Sequence, residues 1–300
     1  MTTTGEDPLA ADSVGSDRAS PGTHQERVAA HFDAAALYWQ AVYDDPRLQG
    51  VIYRERQRAV LQRVVELSPP AAGPVLELGC GAGLLTVELA ARGYAVHAVD
   101  ASQAMVDLTA ARLQREGFTS VRTRVADVHS LPFADGAFLI VIAVGLLPWL
   151  DAPELALEEM ARVLRPRGTL VLTADNRARL NIWVDPRANQ LLAPIKRLRR
   201  QLRRMPPAGP TQRMHFPSHV DALLKAAGFS IERRGTVGFG PFSVFSRQLL
   251  ADAAGIRLHE RLQALADRDW PIVRSSGWHY LVSARKLHVR RDATADSSGE

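Results

Sequence analysis

The stretch VLELGCGAG, from Val75 to Gly83, places three glycines directly after a short apolar run. The run has the composition of a buried strand. Glycines at alternate positions let the backbone turn sharply and let a ligand approach without a Cβ in the way. The spacing is G-x-G-x-G, whereas the dinucleotide fingerprint G-x-G-x-x-G places its third glycine one residue later. The stretch therefore predicts a ligand-binding turn between a strand and a helix, although an ordinary tight turn would have a similar sequence.

The residues around this turn alternate between short β-branched runs and helical stretches. Strand-like runs occur at 74–78, 95–100, 121–127, 137–144 and 168–175, and two more follow at 230–238 and 278–286. Strands that alternate with helices of ten to fifteen residues indicate a parallel, doubly wound sheet. The predicted fold class is α/β, with a Rossmann-like, mostly parallel seven-stranded sheet, added N-terminal helices and helical insertions.

Composition divides the 300 residues into six expected parts. They are a disordered tail at 1–24, a helical lid or cap at 25–70, a cofactor-binding core at 71–178, a basic amphipathic insertion at 179–214, a C-terminal part of the same domain with a helical insertion at 215–286, and a second disordered tail at 287–300.

The overall composition indicates a soluble globular protein. Hydrophobic residues make up 46% of the chain, and the formal net charge of +5 is modest for this length. The single cysteine, Cys80, excludes an internal disulfide and favours a reducing, cytoplasmic location. The N-terminus lacks the apolar segment of a signal peptide, and no apolar run approaches a membrane span. Histidines and cysteines show no metal-binding spacing, so we expect no metal.

Three carboxylates lie where an adenosine-like ligand would need them. Asp100 ends the second predicted strand, 21 residues after Gly79, where a ribose diol is expected to donate hydrogen bonds. Asp127 ends the third and is suitably placed to accept from an adenine amino group. Glu77 lies inside the first strand, where a buried carboxylate needs donors, either loop N–H groups or a cationic ligand. Both aspartates also fit a role as helix-cap or turn residues.

Four motifs together resemble the class I S-adenosylmethionine-dependent methyltransferases of the ubiquinone/menaquinone-biosynthesis type (type 11). They are VLELGCGAG, AVDAS, ADVHSLPFADGAF and EEMARVLRPRGTLVLT; the resemblance is strong over residues 53–178, and HFPSHVDALLKAAGF adds a later match. It implies S-adenosylmethionine as cofactor. The cofactor-binding residues that it implies are Glu77, Gly79, Gly81, Gly83, Asp100, Ala101, Met105, Asp127, Val128, Val144, Gly145 and Leu147.

Other parts of the family pattern are less definite in this chain. The family often uses a basic residue of its N-terminal helix for the cofactor carboxylate, and Arg54 or Arg58 could serve, although a solvated role fits each of them as well. Many relatives carry His or Glu in the loop after the fourth strand. Pro148 and Trp149 stand in that loop here, which leaves a base from it in doubt.

Methyl transfer from a sulfonium needs mainly alignment and exclusion of water, so a catalytic base is optional. If the acceptor is a hydroxyl, His215 is the first candidate base, followed by His129, Asp175 and His279, and each also fits a surface or capping role. We do not expect Cys80 to act as a nucleophile, because a small residue is needed in the glycine turn.

The predicted partner is a small-molecule methyl acceptor, with no nucleic acid. The aromatic-rich segment HFDAAALYWQAVYDD (residues 31–45) resembles an N-terminal lid and favours an apolar or aromatic acceptor. Residues 190–204 form a basic amphipathic stripe, a candidate contact for a membrane surface or an acidic partner, or a solvated helix. The leading function is methyl transfer, most plausibly to oxygen, with carbon as a variant. The alternatives are a Rossmann-type oxidoreductase and a non-catalytic cofactor-binding protein.

Overall fold

The computed structural model describes residues 23–180, 212–244 and 247–287, and the side chains of these residues except 243–247. Seven strands form one sheet in the order β3-β2-β1-β4-β5-β9-β6. They are β1 (Val75–Leu78), β2 (Val96–Asp100), β3 (Arg122–Val125), β4 (Phe138–Ala143), β5 (Leu164–Asp175), β6 (Phe229–Val237) and β9 (His279–Lys286). Strands β1 to β5 pair in parallel, and β9 lies antiparallel between β5 and β6. The predicted mostly parallel, seven-stranded Rossmann-like sheet is confirmed.

Eight α-helices are described. They are α1 (His24–Ala34), α2 (Ala36–Ala41), α3 (Leu48–Leu67), α4 (Leu84–Ala91), α5 (Gln103–Arg115), α6 (Pro153–Val163), α7 (Pro217–Ala226) and α8 (Asp252–Asp267). Helix α1 begins at a capping box, in which Thr23 and Glu26 each accept a hydrogen bond from the other's backbone N–H. Ser102 caps α5 by accepting from the backbone N–H of Met105.

The two faces of the sheet are covered by different helices. On one face Leu76 and Leu78 of β1 belong to a buried cluster that includes Leu157 and Met160 of α6. On the other face Val75 of β1 belongs to a cluster with residues of α3 and α4. Alternation of side chains along β1 therefore divides the core into two layers, as expected for a doubly wound sheet.

One predicted insertion differs from the structure. The sequence predicts a helical insertion near 245–267, but its first part is a two-stranded antiparallel ribbon, β7 (Ser243–Val244) with β8 (Arg247–Gln248), and only α8 is helical. Short two-residue strands carry too little periodicity to be recognised from sequence. The predicted tails and the basic stripe at 190–204 lie outside the described residues, apart from positions 23, 24 and 287. No helix in the described ranges is long and apolar enough to cross a membrane.

Candidate functional site

A large pocket opens at the carboxyl ends of the parallel strands, between the sheet and the N-terminal helices. It encloses about 1340 Å³ of empty space, counting its open mouth. The turns after β1, β2 and β4 line one part of it, and α1, α2 and α3, with Trp149 after β4 and Trp278 before β9, line the other part. We call these two parts the strand-end wall and the aromatic wall. This is the edge of an open α/β sheet where ligands bind.

The glycine turn forms the centre of the strand-end wall. Gly79, Gly81 and Gly83 have φ values of 70°, 55° and 77°, a left-handed conformation that glycine adopts without strain. A Cβ placed on Gly81 would meet no heavy atom within 4 Å, so this part of the turn borders open space. Its N–H donates to Asp100 Oδ2 at 3.0 Å. The turn is therefore both bare and fixed to the neighbouring strand.

Gly83 is placed differently from the other two glycines of the turn. Gly83 does not line the pocket. A Cβ there would lie 2.8 Å from Thr109 Oγ1 and 2.9 Å from Thr109 Cα, so the missing side chain serves the packing of the turn against α5. The glycine is therefore needed for packing of the turn on a helix. The sequence pattern alone cannot distinguish this role from contact with a ligand.

Asp100 lies at the end of β2 with its carboxylate directed to the glycine turn. Besides Gly81, the backbone N–H of Ser102 donates to its Oδ1 at 3.0 Å. Burial raises the pKa of Asp100, and the hydrogen bonds from Ser102 and Gly81 oppose that shift. The carboxylate is thus held in place by backbone donors while it lines the pocket.

Glu77 is a buried acid within β1, only 3% exposed. Its predicted partners were loop N–H groups or a cation. The donor that the structure gives it is the Thr86 hydroxyl of α4, 2.7 Å from Oε2. Burial raises the pKa of Glu77 to about 8, which the Thr86 hydrogen bond lowers in part and the charge of Asp100 raises further. A carboxyl group so short of positive charge fits a cationic group of a ligand.

The basic residue of the pocket is Arg56, which the sequence prediction missed. Arg54 instead donates to the backbone oxygens of Tyr43 and Asp45, at 2.6 and 2.8 Å, and Arg58 is exposed and does not line the pocket. Neither arginine therefore lines the pocket, and a contact of either with the cofactor carboxylate stays a prediction. Because Tyr53, Arg56 and Val60 are all buried at helical spacing, the inward face of α3 could have identified it.

Arg56 is a buried cation with an unpaired side-chain nitrogen. The guanidinium carbon lies 4.9 Å from the centre of the Tyr53 ring, and its Nε has no hydrogen-bond partner among the described residues. Nη1 lies 3.0 Å from where a Cβ on Gly145 would stand. Burying a charge without a hydrogen-bonded partner is costly, so this group fits an anionic ligand atom.

Of the other predicted cofactor contacts, six line the pocket and one does not. Ala101, Met105, Asp127, Val128, Val144 and Gly145 line the pocket. Leu147 does not: it is 1% exposed and packs in the core, in the short 3₁₀ turn after β4. Leu146 takes the lining position, with its Cδ1 3.5 Å from where a Cβ on Gly79 would stand. Leu146 thus lines the pocket one residue before the predicted position, because the turn geometry buries Leu147, and a cofactor contact by Leu147 stays a prediction.

The aromatic wall is built from side chains that are far apart in sequence. They are Phe32, Trp39, Tyr43, Tyr53, Trp149 and Trp278. The Phe32 ring meets Trp149 edge-to-face at 5.0 Å and lies 6.0 Å from Trp39. Such pairs contribute about 0.5–1.5 kcal/mol beyond their burial, so the wall is a packed surface.

Polar contacts fasten α1 over the pocket. Asp33 Oδ1 accepts from the Ser102 hydroxyl and, at 3.2 Å, from the backbone N–H of Ala104 at the start of α5. His24 Nε2 lies 3.0 Å from the Trp149 backbone oxygen. These contacts join α1 to the turns after β2 and β4, the same turns that line the strand-end wall.

The candidate bases do not occupy equivalent positions. Asp175 and His279 both line the pocket, and Asp175 Oδ1 lies 3.1 Å from His279 Nδ1. His215, the first candidate from the sequence, does not line it and instead stacks on His219, with ring centres 5.5 Å apart. The His129 ring is also outside and contacts Asp127 Oδ1 at 2.8 Å. The fold thus brings Asp175 and His279 together at the pocket, because it joins two strand ends that the sequence separates, and it leaves His215 and His129 outside the lining.

Cys80 lines the pocket but is poorly suited to act as a nucleophile. Burial, followed by the charges of Asp100 and Glu77, raises the pKa of its thiol, so the reactive thiolate is disfavoured. Its sulfur lies 3.5 Å from the Thr109 hydroxyl.

Comparison with known proteins agrees with this geometry. Residues 76–172 match the type 11 family described as a methyltransferase domain. An uncharacterized methyltransferase of Mycobacterium bovis is 36% identical over 135 residues, 45% of this chain and 53% of that protein. A demethylmenaquinone methyltransferase of Mycolicibacterium vanbaalenii is 37% identical over 158 residues, 52% of this chain and 63% of that protein. The chain thus spans about half to two thirds of the length of these relatives.

A solved structure supports the fold. Magnesium protoporphyrin IX methyltransferase from Synechocystis, crystallised with bound S-adenosylhomocysteine, has a TM-score of 0.58 at 18% identity, covering 88% of this chain and 100% of that one. The family match and the sheet, which ends in a glycine turn and an acidic strand end, agree on one assignment. Residues 76–172 carry a methyltransferase domain of the type 11 family, within a sheet that has the fold of the solved methyltransferase.

Proposed function

We propose that the protein transfers a methyl group from S-adenosylmethionine to an oxygen atom of a flat, apolar or aromatic small molecule. The observation that carries this proposal is the pairing of two unlike walls around one pocket. The strand-end wall presents bare backbone and carboxylates, and the aromatic wall lines the same pocket. A cofactor on the first wall would therefore meet an acceptor held against the second.

The strand-end wall offers a partner for each polar part of the cofactor. Asp100 is placed to accept from the ribose hydroxyls, and Asp127 from the adenine amine. The amino-acid end of the cofactor carries one positive and one negative charge. Glu77 fits its ammonium and Arg56 its carboxylate, because the Glu77 carboxyl has the Thr86 hydroxyl as its donor and the Nε of Arg56 has no hydrogen-bond partner among the described residues.

The same wall is unfavourable for the pyrophosphate of a nicotinamide dinucleotide. Such a group binds to free backbone N–H donors at a glycine turn and helix N-terminus. Here the Gly81 N–H already donates to the Asp100 carboxylate, and Glu77 lies beneath the same turn. Two acids beside the turn favour a cationic ligand over a doubly anionic one, which weakens the oxidoreductase alternative.

The protein's main contribution to the reaction is alignment. Bound S-adenosylmethionine supplies an electrophilic methyl group that needs an acceptor atom in line with its carbon–sulfur bond. The aromatic wall would hold a flat acceptor in one orientation, and α1, fastened through Asp33 and His24, would exclude water. Orientation of this kind can supply about 7–11 kcal/mol of the barrier.

Two measurements test this proposal. Isothermal titration should show binding of S-adenosylmethionine and S-adenosylhomocysteine and none of NADH; the reverse result would favour an oxidoreductase. Incubation with a radiolabelled methyl donor and 2-naphthol as a flat aromatic probe should then yield a labelled ether. Cofactor binding without labelled product from 2-naphthol or other hydroxyl-bearing aromatics would contradict the oxygen-directed activity and favour a non-catalytic binding protein.

A further inference from the structure

A buried carboxylate–imidazole pair stands at the point where β5 and β9 meet. Asp175 is the last residue of β5, His279 is the first of β9, and the two are directly paired across the antiparallel ladder. Both side chains are almost fully buried, at 4% and 2% exposure, yet both line the pocket. Both residues therefore contribute to the pocket lining, while His279 Nε2 itself is buried.

The hydrogen bond within the pair fixes the proton on one ring nitrogen. Asp175 Oδ1 lies 3.1 Å from His279 Nδ1. Burial alone would raise the pKa of Asp175, but the hydrogen bond from His279 and the charges of Arg56 and Arg179 lower it overall. An ionised carboxylate can only accept, so Nδ1 carries the hydrogen. His279 Nε2 is then an unprotonated acceptor, and it has no partner among the described residues.

The surroundings keep the ring neutral. Burial, and next the charge of Arg56, lowers the pKa of His279 to about 4, while Asp175 raises it and Arg179 lowers it. The other groups that face the pair are Tyr53 of α3, whose ring centre is 6.2 Å from that of His279, Trp278, which stacks on it, and Gln212, which donates to Asp175 Oδ2. Above about pH 4 the proton-accepting form therefore predominates.

We propose that His279 Nε2 takes the proton of the acceptor hydroxyl during methyl transfer, and that Asp175 positions the ring for this step. The inference rests on the proposed oxygen-directed methyl transfer. Its geometry is the orienting arrangement of a catalytic histidine: a carboxylate on one nitrogen, a free lone pair on the other, and a pocket beside them.

The step balances without any further reactant. The acceptor oxygen forms a bond to the methyl carbon as the carbon–sulfur bond breaks, and the sulfur keeps the bonding pair and becomes a neutral thioether. The hydroxyl proton passes to Nε2. The resulting imidazolium is stabilised by Asp175 and returns its proton to water when the product leaves.

The decisive variant is His279→Asn. The asparagine amide can still donate to Asp175 in place of Nδ1, but it has no group in place of Nε2. We expect methylation of 2-naphthol, whose hydroxyl is un-ionised at neutral pH, to fall about 10²–10⁴-fold. Methylation of 4-nitrophenol, assayed where it is ionised, should stay within about threefold, because a phenolate needs no base. The matched control is His215→Asn, a buried histidine outside the pocket, for which both rates should stay within about threefold.

Asp175→Asn tests the positioning role. An amide cannot stabilise the imidazolium, so kcat for 2-naphthol should fall at least tenfold while KM changes little. In the wild-type protein the rate of 2-naphthol methylation should rise with pH through about pH 4 and then level off. In Asp175→Asn this rise should occur at lower pH, because the carboxylate charge that raises the pKa of His279 is lost.

The outcomes separate this inference from the proposed function. Equal losses with both phenols in His279→Asn would mean that the ring is structural and would overturn the inference, and so would 2-naphthol activity within threefold of wild type. If the wild-type protein binds S-adenosylmethionine but methylates neither phenol, both the oxygen-directed activity and the role of His279 as a base are contradicted. The assignment of S-adenosylmethionine as cofactor would then still hold. Failure to bind S-adenosylmethionine would overturn the proposed function itself.

Discussion

The two walls of the pocket are built in opposite ways. The strand-end wall comes chiefly from one stretch, residues 77–105, in which each glycine and acid is fixed by local turn geometry and by pairing of neighbouring strands. The aromatic wall is assembled from helices α1 to α3, the loop after β4 and the start of β9. The difference shows that one wall of a binding site can come from residues close in sequence while the other comes from residues far apart. A sequence motif can describe only the local half.

The largest effect that we expect comes from two glycines of the same turn. Gly83→Ala should lower the free energy of unfolding by about 2–4 kcal/mol, because it adds left-handed strain and a clash with Thr109. Gly81→Ala adds the strain alone, about 1–2 kcal/mol, but its methyl group enters the pocket and should weaken cofactor binding more. Urea unfolding and isothermal titration on both variants measure these effects. Equal stability loss in the two would refute the separation of packing from binding.

Asp100→Ala should give the next largest effect, on the strand-end wall alone. Loss of the ribose acceptor should weaken S-adenosylmethionine binding at least tenfold, which corresponds to about 1.4 kcal/mol or more. The protein should remain folded by circular dichroism. Asp107→Ala, an exposed acid in α5, is the matched control and should bind normally. Unchanged affinity in Asp100→Ala would mean that the ribose contact is wrongly assigned.

Phe32→Leu is the corresponding change on the aromatic wall. Phe32 is only partly buried, and its ring contacts are worth about 0.5–1.5 kcal/mol each, so KM for 2-naphthol should rise several-fold. The dissociation constant of S-adenosylmethionine, measured by titration, should stay within twofold. A comparable loss of cofactor affinity would show that the two walls do not bind separate molecules.

The smallest expected effect is a proton count at Glu77. Its pKa is raised to about 8 when the pocket holds no cation, so a bound ammonium should favour the ionised form. Near pH 7 each molecule of S-adenosylmethionine bound should release close to one proton, seen as buffer-dependent heats in titrations in phosphate and Tris. Glu77→Gln should abolish that release. An unchanged proton count in the variant would place the release elsewhere.

The raised pKa of Glu77 also predicts how the free energy of unfolding changes with pH when no cofactor is bound. A carboxyl whose folded pKa lies above its unfolded value binds more protons in the folded state across that interval. Unfolding free energy should therefore fall as pH rises from about 4.5 to 8 in the wild type, relative to Glu77→Gln. A steeper fall in the variant would contradict the direction of the shift.

What the sequence could predict follows from the range of the interactions. The strands, the glycine turn and the acids at the ends of β2 and β3 depend on periodicity and spacing, and the predicted sheet is confirmed. Gly83 and Leu147 lie outside the pocket lining, and these placements could not be predicted because each depends on which way one side chain faces a neighbouring element. Gly83 is explained by Thr109, and Leu147 by the 3₁₀ turn that turns Leu146 to the pocket.

Long-range assembly accounts for the remaining misses. Arg56 was passed over for Arg54 and Arg58, although its place on the buried face of α3 was within reach of a periodicity argument. The pairing of Asp175 with His279 joins residues 104 apart, and no spacing rule predicts it. His215 is the first candidate base from the sequence, but its ring packs on His219 outside the pocket.

A crystal structure with S-adenosylhomocysteine would test the account most directly. We predict that both ribose hydroxyls lie within about 2.6–3.2 Å of the Asp100 carboxylate, that Arg56 contacts the cofactor carboxylate, and that the sulfur faces the aromatic wall near His279. An adenosine bound elsewhere, or a sulfur directed away from the aromatic wall, would contradict the account.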